Sequence, residues 1–187
     1  MSAGRLPASL GLSIALAIAV ASTASAASFA DCVRDVATKD LAAKTEFQRD
    51  LRDLVVRDRP EFDALATLNM ELQIRLAEAR RAMIDHLLAR DPDRIDTTRG
   101  LGRFSNFAWS DEDSERFAAQ DASYRELRGR IATLEERNNA HPDWPDLRAY
   151  YRAELGQSAD FAALVTRLQS RQSEAESLLE GCEPVER

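Results

Sequence analysis

Residues 61–90 read EFDALATLNMELQIRLAEARRAMIDHLLAR, a stretch without glycine or proline. Phe62, Leu65, Leu72, Leu76, Ala79, Met83 and Leu87 recur at three, four and seven, the spacing of one helical face. Met70, Ile74, Ala77, Ile84 and Leu88 form a second stripe. At about 100° per residue the two stripes lie well apart around a single helix. Such a helix contacts neighbours on two sides, or lends one stripe to a partner.

The same periodicity runs outward in both directions, and no segment alternates as a strand does. A first helix is expected from about Asp31 to Arg57, with Val33, Val36, Phe47, Leu51 and Leu54 inward. Pro60 suits the opening turn of the second helix. A third opens at Ser110, whose side chain can cap it with Asp113 at the third position. Its seam of Phe117, Tyr124 and Ile131, with Leu127 and Leu134 three residues behind the last two, has the near-heptad spacing of a left-handed helix pair. His141-Pro142 ends it. A short helix with Leu147, Tyr151 and Leu155 follows, closed by Gly156. Ser158 caps a last helix with Phe161, Val165, Leu168, Ala175 and Leu179 inward, stopping at Gly181.

These elements predict an all-α fold: an antiparallel bundle of four long legs, the last broken into two helices. An even number of legs returns the chain to its starting end. Cys32 and Cys182, the only cysteines, then meet there, within the roughly 7 Å between Cα atoms that a disulfide requires. A clamp joining the termini is expected from this pair, not redox chemistry, because no C-x-x-C spacing is present to lower a thiol pKa.

The compartment follows from the N-terminus. Arg5 precedes an apolar run from Leu10 to Ala21, and Ala24-Ser25-Ala26 ends in the A-x-A pattern of a secretory signal. Cleavage after Ala26 or Ala27 is expected, leaving residues 27–187 as a single helical domain. The apolar run is shorter than the roughly 20 residues that span a bilayer. Phe29-Ala30-Asp31 before Cys32 lacks the small residues of a lipoprotein signal, so no lipid anchor is expected there. The mature chain is therefore expected in the periplasm or outside the cell, without stable membrane insertion, where an oxidising milieu permits the bond. The chain carries a formal charge of −7, a poor match to nucleic acid or anionic lipid.

No catalytic or ligand motif emerges. The two histidines, His86 and His141, stand far apart, and neither belongs to a Glu-x-x-His pair, so no metal site is expected from them. Asp91, Asp93 and Asp96 miss the register of a calcium loop, and Asp111, Glu112, Asp113 and Glu115 suit the first turn of a helix. Gly100-Leu101-Gly102 is too short a signal for phosphate, and no cofactor is expected.

One segment stands out, the link from Asp91 to Trp109. It holds Arg94, Arg99 and Arg103 beside Phe104, Phe107 and Trp109, and a connection this long inside a compact bundle is often functional. Two roles are expected for it: an aromatic cap on the end of the core, or a binding loop for an acidic or extended partner. Trp144, Tyr150 and Tyr151 form a second aromatic group near another turn.

The function these features favour is a non-enzymatic exported protein that binds a protein or peptide partner through helix faces and the arginine-aromatic link. The alternatives are a small hydrolase with a carboxylate-arginine site between helices, a coiled-coil homo-oligomer built through the third helix, and an acidic inhibitor of a basic secreted enzyme.

Overall fold

The computed structural model describes residues 28–97, 100–101 and 107–182, so the expected signal segment 1–26 lies outside the described residues. Helix α1 spans Phe29–Asp58 and α2 spans Asp63–Arg90, with a 3-10 turn at Pro60–Phe62 between them. A second 3-10 turn, Pro92–Arg94, opens the long link. Helices α3 (Asp111–Gln120), α4 (Ala122–Asn139), α5 (Trp144–Ala153) and α6 (Ala159–Glu180) follow, with a 3-10 turn at Leu155–Gln157 before α6. The described residues contain helix and no strand.

Local chemistry sets the starts. Ser28, Ser110 and Ser158 each accept a hydrogen bond from the backbone N–H three residues on, at 3.2, 3.0 and 3.1 Å. At Ser110 the Asp113 carboxylate also accepts from the Ser110 N–H at 3.0 Å, completing the capping box.

The third leg differs from its expected form. It is two helices rather than one, divided at Asp121, whose backbone is extended (φ −125°, ψ 110°). Its N–H still closes α3 on the Phe117 carbonyl, while its carboxylate accepts from the Tyr124 N–H at 2.9 Å and starts α4. An aspartate can cap a helix as well as continue one, and here capping wins. The break brings Phe117 and Tyr124 face to face, ring centroids 4.1 Å apart and planes 19° from parallel.

The legs form a row, α6–α1–α2–α4. Arg34 pairs with Asp85 at 3.5 Å and Arg52 with Asp63 at 2.6 Å, so α1 and α2 run antiparallel. Arg57–Asp160 at 2.7 Å, Arg167–Asp50 at 3.0 Å and Arg171–Glu46 at 3.3 Å do the same for α1 and α6. The expected two-sided role of the second helix is met, since α2 packs on α1 with one side and on α4 with another.

Three apolar clusters hold the row together. At the end that carries the termini, Val33, Val36, Ile84, Leu87, Leu88, Ala175 and Leu179 pack together, with Ile95, Leu101 and Phe107 from the link. At the opposite end Leu54, Val55, Phe62 and Leu65 meet Leu147, Tyr150, Leu155 and Leu164, so α5 covers the turn between α1 and α2. Between α2 and the third leg, Leu68, Leu72 and Ala79 meet Phe117, Tyr124, Ile131 and Leu134. The near-heptad seam is thus buried inside the molecule. Truncating a fully buried leucine such as Leu65 to alanine costs about 2–5 kcal/mol.

The return of the fourth leg brings Cys182 to Cys32, their Cα atoms 5.6 Å apart, and a disulfide joins them. Among the described residues no helix is long and apolar enough to cross a membrane.

Candidate functional site

Of the expected partner-binding residues, Arg94, Phe107 and Trp109 are described, whereas Arg99, Arg103 and Phe104 lie outside the described residues. The Pro92–Arg94 turn aims the Arg94 guanidinium at Asp113, with hydrogen bonds of 3.3 and 3.0 Å to its two oxygens, and it also donates to the Ala108 carbonyl. Arg94 and the Ser110 N–H together hold the Asp113 carboxyl well below the usual carboxylate range. The guanidinium carbon lies 5.8 Å from the centre of the Trp109 ring. The Trp109 indole N–H donates to Ser114 Oγ at 2.7 Å, which satisfies its polar edge.

An aromatic run grows from this point. Phe107 meets Trp109 edge to face at 6.0 Å, and His86 meets Trp109 the same way at 6.0 Å. His86 lies 4.1 Å from Phe117, which stacks on Tyr124. Burial, with the Arg90 charge second, lowers the His86 pKa. Phe107 is buried and Trp109 half-buried, so among these residues the link closes the end of the core. Glu176 of α6 fastens it: its carboxylate accepts from the Leu101 N–H at 3.3 Å, directly beside Gly100, which has a φ of +75°. Cys32, Cys182, Phe107 and Trp109 all border the same cluster, so the disulfide and the arginine-aromatic link share one end.

The second aromatic group lies at the opposite end. Tyr150 donates to Asp58 at 3.3 Å, and Arg59 lies 5.3 Å from the centres of both Phe62 and Tyr150. Burial, then the Asp58 charge, pushes the Tyr150 phenol up to about 12. The indole N–H of Trp144 donates to the Asn138 carbonyl, tying α5 to the end of α4.

The electrostatics have a consistent sign. Asp31, Asp58, Glu61 and Asp113 are all shifted down and Arg52, Arg57, Arg59 and Arg94 all up, each chiefly by a side-chain hydrogen bond. Pairing that favours the charged forms builds structure. A general acid at neutral pH needs the opposite shift on a carboxylate. Arg80 runs against this trend, because burial lowers its pKa. Among the described residues no group of three or more His, Cys, Asp or Glu side chains is placed to hold a metal ion.

Two open grooves flank the row. Glu71, Arg75, Glu126, Gly129 and Arg130 line one of about 670 Å³ between α2 and α4, and Asp50, Arg57, Asp160 and Arg167 line one of about 330 Å³ between α1 and α6. Both are highly charged. The main stripe of α2 behaves differently from either. Phe62, Leu65, Leu72, Ala79 and Leu87 of that stripe are buried, yet Leu76, between Leu72 and Ala79, is 39 % exposed. Sequence spacing alone placed Leu76 inside that stripe. No signal in the spacing marks it, because its exposure depends on how the neighbouring legs pack around α2.

No protein family, curated protein or solved structure matches the chain.

Proposed function

We propose that the chain is an exported, non-enzymatic helical protein that holds a protein or peptide partner in the cell envelope or outside the cell. The observation that carries this reading is the exposure of Leu76 on α2. Leu76 is one of two large apolar side chains that are exposed among the described residues, and Met70, Ile74 and Ala77 of the second stripe are half-buried rather than sealed. Apolar surface on a rigid central helix suits capture of another chain. Export is supported by the signal pattern at residues 1–26 and by the disulfide, which belongs to oxidising compartments. The sign of the ionic shifts supports a scaffold over an acid-base catalyst.

The test uses the full-length chain in its own host, with a photo-crosslinking residue at position 76 or, as a control, at exposed position 128 of α4. Partner-dependent adducts from position 76 and not from position 128 are expected, in the extracytoplasmic fraction, on a chain that has lost its first 26 or 27 residues. Adducts equal at both positions, or an uncleaved cytoplasmic chain, would overturn the reading.

A further inference from the structure

Arg80 lies one turn beyond Leu76 on the same side of α2. It is the one half-buried arginine among the described residues that has neither a hydrogen bond nor a carboxylate partner. Arg34, Arg52, Arg59, Arg75, Arg81 and Arg94, half-buried like it, each pair with an acid. Its guanidinium carbon sits 5.0 Å from the centre of the Phe107 ring. Burial lowers its pKa, and no carboxylate among the described residues counters that. The undescribed neighbours of Phe107 in the link, residues 98–99 and 102–106, include no acidic residue in their sequence. Tyr124 is itself 2 % exposed, and its hydroxyl is buried without a hydrogen-bond partner.

A guanidinium half withdrawn from water and an orphaned buried hydroxyl both gain from a new partner. Here they stand together, next to an aliphatic side chain that faces solvent. We infer that Arg80, backed by Phe107 and the Tyr124 hydroxyl, receives a carboxylate of a partner peptide, with Leu76 meeting an aliphatic side chain beside it. The partner is an acidic segment with leucine-like neighbours. Leu76 stands at the surface, so the ligand lies across α2 as a peptide chain does. A guanidinium seated on an aromatic ring is pre-oriented for a carboxylate, and the low local polarity strengthens the pair. This inference rests on the partner-binding reading and gives it a chemistry.

The test is a titration of the mature, disulfide-bonded chain with a capped peptide containing leucine-glutamate-leucine, with the same peptide carrying glutamine, and with hexanoate. Trp109, 6.0 Å from Phe107, reports by fluorescence in a Trp144→Phe background. Preference for glutamate over glutamine by about tenfold or more is expected, the worth of one charge-assisted hydrogen bond. The preference should vanish in Arg80→Met, weaken in Tyr124→Phe and persist in part in Arg80→Lys. Arg80→Met should unfold at about the same temperature as the parent, because Arg80 makes no hydrogen bond or ion pair with the described residues and methionine keeps the apolar stem. Equal affinity for the two peptides, a preference that survives Arg80→Met, or a clear loss of stability in that variant would overturn the inference. Hexanoate binding as tightly as the glutamate peptide would overturn the peptide as ligand. Adducts from position 76 that persist unchanged in Arg80→Met would leave the partner-binding reading standing and remove this site alone.

Discussion

His86 sits between Trp109 and Phe117, where burial and the Arg90 charge oppose its protonation, while Asp113 and Asp121 favour it more weakly. The unfolded chain therefore takes up this proton at a higher pH than the folded one. Stability from His86 is complete above the unfolded value of about 6.5 and is lost as pH falls from there through the lower folded value. Thermal stability should fall as pH drops from about 7.5 to about 5.5 in the parent, and His86→Phe should flatten that slope. A parent with no slope in this range would refute the assignment. Asp113, whose carboxyl is shifted the other way by Arg94, acts in a lower window. Its contribution holds above the ordinary carboxylate value and disappears only as pH falls through the depressed one. Gly100 is a second residue with a checkable consequence. Its positive φ costs an L residue about 1–2 kcal/mol, and an added Cβ would run into the Glu176 carboxylate. Gly100→Ala should lower the denaturation midpoint by at least that energy, and faster hydrogen exchange at the Leu101 amide should accompany it.

At the scale of elements, the serine caps at Ser110 and Ser158 were readable because each stands just before an apolar periodic run. Asp121 was not, because an acid amid helix-compatible neighbours looks the same whether it continues a helix or restarts one. Only the stacking of Phe117 on Tyr124 shows which. Asp121→Ala removes the cap on the Tyr124 N–H and should cost about 1 kcal/mol. Loss of ellipticity limited to about one helical turn and a weaker Phe117–Tyr124 contact by NMR should accompany it. A variant as stable as the parent would show that the aromatic stack, not the cap, sets the break. The α2 stripes were legible as two contact faces, but the exposure of Leu76 between buried Leu72 and Ala79 was not. Packing of the neighbouring legs decides that, and periodicity carries no such information.

Across the whole molecule, four legs and the meeting of Cys32 with Cys182 followed from counting helices and noting where the cysteines fall. The row order α6–α1–α2–α4 did not, since any arrangement of four antiparallel legs returns the chain to its start. The roles of Arg80, Tyr124 and Glu176 depend on contacts between legs and leave no local mark in the chain. The disulfide closes a loop of 150 residues, worth up to about 5 kcal/mol if chain entropy accounts for it. Replacing both cysteines with serine should lower stability by several kcal/mol, with hydrogen exchange rising first at the end of α6 and the start of α1. Equal exchange along all helices would point to global loosening instead.

The same bond gives the molecule an unusual response to tension. Because the two sulfurs sit where both ends of the folded chain emerge, a pull between those ends loads one covalent link and bypasses every helix. Stretching the oxidised chain should lengthen only the tails outside the bond. After reduction, the 150 residues between the cysteines can pay out to roughly 500 Å as the legs unravel. A chain tethered at both ends in this way stays folded under strain for as long as its surroundings stay oxidising.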